Sequence, residues 1–165
     1  MGRKKKRVPK TMPMRVLEER EIPYEVHTHE HKQYTAEGVA EDLGIPVAEV
    51  VKAMIIQRSD RQFVLVAVPG DRRLSLKKVG AALDDKNVKL ARERDVQRVT
   101  GFQVGAVSVM GFRRDEVPAY VDQHVLALEQ VIISAGRPDA GLALSPDALM
   151  QALEGAELGD FCEDT

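Results

Sequence analysis

The sequence contains no tryptophan, and only 4% of its 165 residues are aromatic. Val, Leu, Ile, Ala and Met must therefore supply most of the hydrophobic core, and apolar residues of all types make up 44% of the chain. A chain of this length buries roughly 70% of the surface that it exposes when unfolded. That is enough for one globular domain without covalent cross-links.

Other absences exclude whole classes of protein. Cys162 is the single cysteine, which excludes a disulfide scaffold, and its place near the chain end makes it a poor candidate nucleophile. No apolar run approaches the ~18 residues of a membrane-spanning helix, so no membrane association is expected. The charged N-terminus is not followed by the apolar segment of a signal peptide, and the cytoplasm is the expected compartment.

The formal net charge is only −2, but the charges are unevenly distributed. Residues 1–10 hold six bases and no acid, whereas residues 154–165 hold five acids and no base. We therefore expect a basic N-terminal tail over 1–11, a single domain over 12–158 and a solvated acidic C-terminal tail over 159–165. The basic tail is either a plain solvated extension or a contact to nucleic-acid phosphates.

The middle of the chain is basic as well. Residues 50–98 carry twelve bases against six acids. Such a segment can present a positive face to a polyanion, or its charges can simply solvate helix surfaces.

Hydrophobic patterning and capping residues predict short strands and helices in mixed order. Strands are predicted over 24–28, 50–57, 62–68, 88–90, 130–134 and 142–144. Helices are predicted over 14–20, 35–43, 75–83 and 91–99 and from 145 onward, with Thr35, Ser75 and Ser145 as N-caps. Strands and helices do not alternate regularly, which favours an α+β fold in which helices cover a mixed, twisted β-sheet.

Lys52 is the most informative single residue, because it lies inside the apolar run VVKAMII of residues 50–56. A full charge in a buried strand is costly unless it is paired or lies at a cleft. Lys52 therefore either points its ammonium into a substrate pocket or extends out to solvent at the end of the strand.

A second candidate is the glycine-punctuated segment 101–112, GFQVGAVSVMGF. Glycines let backbone N–H groups approach a ligand closely, where they can hold a carbonyl oxygen, a phosphate or an oxyanion. Ser108 adds a hydroxyl, but no G-x-S-x-G elbow makes it a nucleophile, and neither a P-loop nor a dinucleotide-binding pattern is present. The alternative is that this segment is only a tight turn between two elements and binds no ligand. The turn 134–136, after a buried strand, is a weaker candidate of the same kind.

Three histidines alternate with other residues at His27, His29 and His31. On an extended strand they would share one face, which is a possible metal constellation. No second group of ligands completes such a site, so no metal ion is expected.

Five segments, in this order and spacing, make the chain similar to the YbaK/prolyl-tRNA synthetase-associated domain family over residues 14–155. They are 36–44 (AEGVAEDLG), 50–56 (VVKAMII), 74–83 (LSLKKVGAAL), 101–111 and 133–149 (ISAGRPDAGLALSPDAL). Members of this family are freestanding aminoacyl-tRNA deacylases or editing domains within prolyl-tRNA synthetases. They hydrolyse mischarged tRNA, typically alanyl- or cysteinyl-tRNA for proline, and need no metal ion.

The resemblance implies the fold of that family, aminoacyl-tRNA as substrate, a synthetase as a further partner and no cofactor. It places Lys52 at the family's central lysine, as the catalytic residue. It implies substrate binding by His29, Gly101, Gly105, Ala106, Val107, Ser108, Gly111, Ser134, Ala135 and Gly136. The family loop usually reads Gly-x-x-x-Gly-x-x-Ser-Pro-x-Gly, and here Val109 stands in place of the proline. Pocket size is expected to depend on Val109, Met110, His29 and Met54.

A mechanism follows from the chemistry of an ester. Hydrolysis passes through a tetrahedral oxyanion, which backbone N–H groups of residues 105–108 can stabilise by a few kcal/mol per donor. Lys52 positions the substrate or, if desolvation favours its neutral form, acts as a base; we favour positioning. The attacking group is water or a hydroxyl or thiol of the substrate. The tRNA phosphates are expected to meet Arg72, Arg73, Lys77 and Lys78.

Two other functions fit the same residues. One is a non-catalytic module that binds tRNA or a nucleotide with the same fold. The other is a small metal-binding protein built on the three histidines.

Overall fold

The computed structural model describes residues 8–29, 35–112 and 116–164, which form five α-helices and eight strands. The helices are α1 (Met12–Glu19), α2 (Ala36–Leu43), α3 (Leu76–Leu83), α4 (Glu93–Thr100) and α5 (Pro146–Ala152). The strands are β1 (Glu25–Thr28), β2 (Lys52–Gln57), β3 (Phe63–Val68), β4 (Lys89–Leu90), β5 (Ala119–Asp122), β6 (Val131–Arg137), β7 (Ala140–Leu144) and β8 (Glu157–Gly159). Two 3-10 turns cover Val47–Glu49 and Gln123–Ala127. None of the helices in the described ranges is long and apolar enough to cross a membrane.

The strands form two sheets. The larger has the order β4-β2-β3-β5-β8 and is mixed, because β5 runs parallel to both β3 and β8 while the other pairs are antiparallel. The smaller sheet is antiparallel, with the order β1-β7-β6. The sheets meet where the Val51 amide donates to the Ile132 carbonyl at 2.9 Å. The expected α+β fold with a mixed sheet is confirmed, and the structure adds the second sheet.

The capping residues act as the sequence predicts. The Thr35 hydroxyl accepts from the Gly38 amide at 3.0 Å, and Gly44 ends α2 in a left-handed conformation. Ser75 and Ser145 cap α3 and α5 in the same way. These side chains satisfy amide groups that a helix N-terminus leaves unpaired, so the helix starts follow from local chemistry.

Strand β3 is the centre of the core, with all six residues buried. Phe63, Leu65 and Ala67 belong to the larger core cluster, which also contains the smaller sheet, α1 and α5. Val64, Val66 and Val68 face the opposite way, into a cluster with α3 and Phe161. Because both faces of the strand are covered, its sequence is apolar throughout rather than alternating.

The expectation of a solvated tail over 159–165 is wrong for Phe161 and Cys162, whereas Asp160, Glu163 and Asp164 are exposed. Phe161 is 3% exposed and Cys162 is 1% exposed. Strand β8 extends the larger sheet, and Cys162 pairs with Leu74. The prediction relied on the number of acidic residues and overlooked two adjacent apolar residues, which pack into the core. The domain therefore continues beyond Leu158. Of the predicted basic tail, residues 1–7 lie outside the described ranges.

Asp122 attaches the C-terminal segment to the sheet. This aspartate is fully buried. Its carboxylate accepts from the Phe161 amide at 2.9 Å, from the His124 amide at 2.9 Å and from the His124 ring at 2.7 Å. Burial by itself would raise the pKa of Asp122, but these hydrogen bonds together outweigh it and hold the pKa below its ordinary value.

We predict that Asp122→Asn lowers the free energy of unfolding by about 1–3 kcal/mol, because a buried charged acceptor is lost. The folded-state pKa of Asp122 is depressed, so its contribution is present above the unfolded pKa of about 4 and is lost as the pH falls through the folded value. Urea denaturation at several pH values measures both effects. The difference in free energy of unfolding between wild type and variant should become smaller below about pH 4. The exposed Asp71→Asn is the control, and an equal loss in both variants would contradict the assignment.

Candidate active site

A cleft of about 420 Å³ lies where the two sheets meet. Its walls come from β2, the first turns of α2, the loop 101–112 and the β6–β7 hairpin. Five of the predicted site residues line it: His29, Lys52, Gly105, Val107 and Ser134. Gly101, Ala106 and Gly136 instead line a neighbouring cavity of about 440 Å³. Ser108, Gly111 and Ala135 line neither of these two cavities.

Lys52 is the first residue of β2, opposite Val68 on β3, and its side chain lines the cleft. Its Nζ donates to the backbone carbonyl of Arg72 at 2.6 Å. An ammonium carries several N–H donors, so this bond fixes the group and leaves further donors for a ligand. The structure thus favours the pocket interpretation of Lys52 over simple extension into solvent.

His29 forms part of the cleft wall and is 6% exposed. Its amide donates to the Asp139 carbonyl at 3.0 Å, and its ring Nδ1 lies 3.9 Å from an Asp42 carboxylate oxygen. His27 is much more exposed and lies beside Glu25, while His31 is outside the described residues. In the described part of the chain, no three His, Cys, Asp or Glu side chains are placed to hold a metal ion.

Ser108 and Ser134 join the loop to the hairpin. Ser108 is fully buried, and its hydroxyl donates to the Ser134 carbonyl at 2.5 Å. The Ser134 hydroxyl donates in return to the Ala106 carbonyl at 2.9 Å and accepts from the Gly136 amide at 3.1 Å. These bonds hold one wall of the cleft in place. The Ser108 hydroxyl is therefore bonded to the protein and does not face the cleft.

Several residues predicted to bind substrate are packed closely against other parts of the protein. Gly111 has φ +78°, and a Cβ there would lie 2.8 Å from the backbone of Met12. Gly136 has φ +89°, and a Cβ there would lie 2.8 Å from the Phe102 ring. Ala135 is completely buried. The loop glycines at these positions permit close packing of the chain on itself, which the sequence pattern cannot distinguish from close approach of a ligand.

Of the four residues expected to set the size of the cleft, two line it and two lie in the core. Val109 is 2% exposed and Met110 is 5% exposed, and both belong to the larger core cluster. Met54 and His29 do line the cleft. Where the family loop has proline, Val109 therefore contributes to the core beneath the loop.

The sequence analysis missed Arg137, which borders both cavities. Its guanidinium donates to both carboxylate oxygens of Asp139, at 3.0 and 3.1 Å. Such a two-point contact fixes the guanidinium plane at the mouth of the cleft. The available signal was an Arg-Pro-Asp turn between two apolar strands.

The four cations expected to meet tRNA are not equivalent. Arg73 and Lys77 are exposed, and Arg72 is partly buried. Lys78 donates to Asp160 and to Asp164, each at 2.8 Å. These hydrogen bonds raise the pKa of Lys78 to about 12. The acidic C-terminal segment thus already neutralises one of the predicted phosphate contacts.

Cys162 is as poor a nucleophile as its position in the sequence indicates, although for a different reason. Burial, followed by the neighbouring Asp122 carboxylate, raises the pKa of the Cys162 thiol to about 12. The thiol therefore stays protonated near neutral pH, and the thiolate is the reactive form.

Known proteins are similar to this chain in fold and in sequence. A solved structure titled "a putative trans-editing enzyme for prolyl tRNA synthetase" superposes with a TM-score of 0.84 and 27% sequence identity, covering 93% of this chain and 96% of that one. The "Putative Cys-tRNA(Pro)/Cys-tRNA(Cys) deacylase EbsC" of Enterococcus faecalis is 29% identical over 154 residues, which cover 92% of this chain and 93% of that protein.

The proline–tRNA ligase of Caldicellulosiruptor bescii is 32% identical over 127 residues. The match covers 77% of this chain but only 21% of the ligase, so the similarity concerns one region of that larger enzyme. The model of the aminoacyl-tRNA editing domain matches residues 30–152, a span that contains Lys52, the loop 101–112 and every residue that lines the cleft except His29. The resemblance inferred from the sequence is confirmed: the chain belongs to the aminoacyl-tRNA editing domain family.

Proposed function

We propose that this protein is an aminoacyl-tRNA deacylase that hydrolyses the ester of mischarged tRNA in the cytoplasm, with alanyl- or cysteinyl-tRNA for proline as its substrates. The observation that carries this proposal is the Lys52 ammonium at the cleft, held by the Arg72 carbonyl. The names of the similar deacylase and trans-editing enzyme support it. In the reaction, water adds to the ester carbonyl, the bond to the ribose oxygen breaks, and a proton from the water passes to that oxygen. Where a hydroxyl or thiol of the substrate attacks first, its proton passes to the ribose oxygen and a new ester or thioester forms, which water then hydrolyses.

Lys52 positions the substrate in this proposal. Its hydrogen-bond partner is a neutral carbonyl and not a carboxylate, so this bond does not neutralise the ammonium. The positive charge can therefore attract an ester oxygen or the terminal phosphate. A cation close to developing negative charge stabilises the transition state most where water is largely excluded. The partly enclosed cleft meets that condition.

Backbone amides of the loop are the candidate oxyanion donors. The Ala106 amide donates to the Gln103 carbonyl at 2.9 Å and is therefore already engaged in a turn. Gly105 and Val107 line the cleft on either side of Ala106, and Gly105 has φ +84°. We therefore assign the Gly105 and Val107 amides as the donors to the oxyanion. They are two of the four residues, 105–108, whose amides are candidates from the sequence.

The tRNA backbone is expected to lie along the segment that follows β3. Arg72, Arg73 and Lys77 supply the cations for phosphate contacts, with Lys78 as a contact that the acidic segment competes for. Phosphate contacts give affinity without reading sequence. The amino acid and the tRNA identity would then be discriminated by the cleft and by a partner synthetase.

The first prediction concerns turnover. Incubation with alanyl-, cysteinyl- and seryl-tRNA carrying the proline acceptor should show loss of the ester above its spontaneous rate. Lys52→Ala should lower kcat/KM by about 10²–10³-fold, because a group that stabilises developing charge is lost. Lys89→Ala, on β4 and opposite Gln57 at the far end of β2, is the matched control and should keep kcat/KM. If no member of the panel turns over while tRNA still binds, the protein is a binding module instead.

The second prediction concerns Ser108. Ser108→Ala should lower the free energy of unfolding by about 1–3 kcal/mol, because the buried Ser134 carbonyl loses a donor. Its kcat should fall by less than about tenfold, since a nucleophile would account for a far larger factor. Chemical denaturation and initial rates measure the two effects. Complete loss of turnover without loss of stability would show that the hydroxyl takes part in the chemistry.

The third prediction concerns the acidic segment. The double variant Asp160→Asn/Asp164→Asn frees Lys78, so tRNA should bind more tightly at low salt. The slope of log K against log salt should steepen by about 0.9, as expected for one additional phosphate contact. Glu154→Gln removes an acid that contacts Arg20 and is the control for a general charge effect. Equal changes in both variants would exclude a specific role of Lys78.

A further inference from the structure

The segment 69–75, between β3 and α3, supplies the only fixed partner that the structure gives for the Lys52 ammonium among the described residues: the Arg72 carbonyl, at 2.6 Å. We propose that this segment is the positioning element of the active site, with Gly70 and the C-terminal segment 159–164 holding the Arg72 carbonyl in place. The inference rests on the proposed role of Lys52 as the group that orients the substrate. It assigns positioning roles to residues that need not touch the substrate themselves.

Gly70 allows this segment to pack closely against residues 47–50, which lead into β2. A Cβ at Gly70 would lie 2.2 Å from the Val47 carbonyl oxygen and 2.5 Å from the Val50 carbonyl oxygen. The Gly70 amide also donates to the Ala48 carbonyl at 3.3 Å. Gly70 is not among the residues with positive φ, so glycine is needed here for close approach and not for its backbone conformation.

This contact joins the donor and the acceptor of the Lys52 bond. The backbone at Val50 continues directly into Lys52, while Gly70 continues through a turn in which the Arg72 amide donates to the Pro69 carbonyl at 3.2 Å. The separation between Lys52 and the Arg72 carbonyl is therefore set by backbone packing. Any side chain at position 70 must push these two segments apart, because the atoms it meets are backbone oxygens.

The C-terminal segment holds the other side of Arg72. The Glu163 amide donates to the Arg73 carbonyl, and the Ser75 amide donates to the Phe161 carbonyl, both at 2.8 Å. Phe161 is held in turn by the buried Asp122 carboxylate. The residues on both sides of Arg72 are thus fixed, and its carbonyl has little freedom to turn away.

A lysine needs such a partner if it is to position a substrate. Its ammonium lies at the end of a flexible four-carbon stem and has no preferred direction of its own. Charge-assisted hydrogen bonds are short and strong. The bond from the Lys52 Nζ to the Arg72 carbonyl oxygen is short in this way, at 2.6 Å. Because a displacement of about 1 Å at a reacting centre can cost about 10²-fold in rate, the segment 69–75 can control kcat without contacting the ester.

Gly70→Ala tests the proposal, with Gly155→Ala as the matched control. Gly155, unlike Gly70, takes a left-handed conformation, at φ +80°, so alanine is strained there, but apart from its chain neighbours no described atom lies within 4 Å of an added Cβ. We expect Gly70→Ala to lower kcat by about 10- to 100-fold with KM within about threefold, and Gly155→Ala to keep kcat whatever stability it loses. An unchanged kcat in folded Gly70→Ala would overturn the proposal.

A double-mutant cycle separates positioning from a general structural effect. If Gly70 acts through Lys52, then adding Gly70→Ala to Lys52→Ala should change the residual rate by less than about twofold. Full additivity of the two effects would overturn the proposal. If Gly70→Ala does not fold, Asp122→Asn loosens the same segment from the opposite side and is carried through the same cycle.

A spectroscopic measurement keeps this inference separate from the proposed function. In the substrate-free protein, the ¹H–¹⁵N signal of the Lys52 ammonium is assigned by its loss in Lys52→Ala. Slow hydrogen exchange in wild type, accelerated in Gly70→Ala but not in Gly155→Ala, supports the positioning role even if no aminoacyl-tRNA is hydrolysed. Fast exchange in wild type would overturn the positioning role even if the protein is an active deacylase.

Discussion

The placement of one charged side chain at the start of a buried strand constrains the surrounding structure. An ammonium among apolar residues needs a polar partner and access to a polar cavity. The Arg72 carbonyl is the partner, and the cleft between the two sheets is the cavity. Strand β2 can therefore begin with lysine and continue into the core within three residues, at the buried Ile55.

The cleft lies beside the point where a backbone bond joins the two sheets. The Val51 amide donates to the Ile132 carbonyl of the smaller sheet, and both residues line the cleft. The loop 101–112 closes one side and is fastened to the hairpin by the Ser108 and Ser134 hydroxyls. The walls combine apolar side chains, such as Met54 and Ile133, with the polar groups of His29, Lys52 and Arg137. Such a mixture is typical of a site that binds a ligand by shape and by a few polar contacts.

The acidic C-terminal segment combines two roles that its composition does not separate. Phe161 and Cys162 pack into the core, and backbone bonds from this segment support the residues around Arg72. Asp160 and Asp164 lie on the surface and neutralise Lys78. The same few residues thus contribute to stability, to the geometry near Lys52 and to the charge of the proposed tRNA-binding face.

Sequence by itself determined the helix starts at Thr35, Ser75 and Ser145 and the strands β2, β3 and β6, since capping and periodicity act locally. It also singled out Lys52 as a candidate, because a charge inside an apolar run is costly unless it reaches a partner or a cavity. Tertiary structure alone decided the strands β5 and β8, which are three or four residues long and exist because a neighbour pairs with them. It also decided which loop residues face the cleft: Gly105 and Val107 do, whereas Ser108 and Gly111 contact the protein itself. A glycine or serine in a loop has the same local chemistry in either role, and only the segments that pack against it, distant in sequence, determine the direction in which it points.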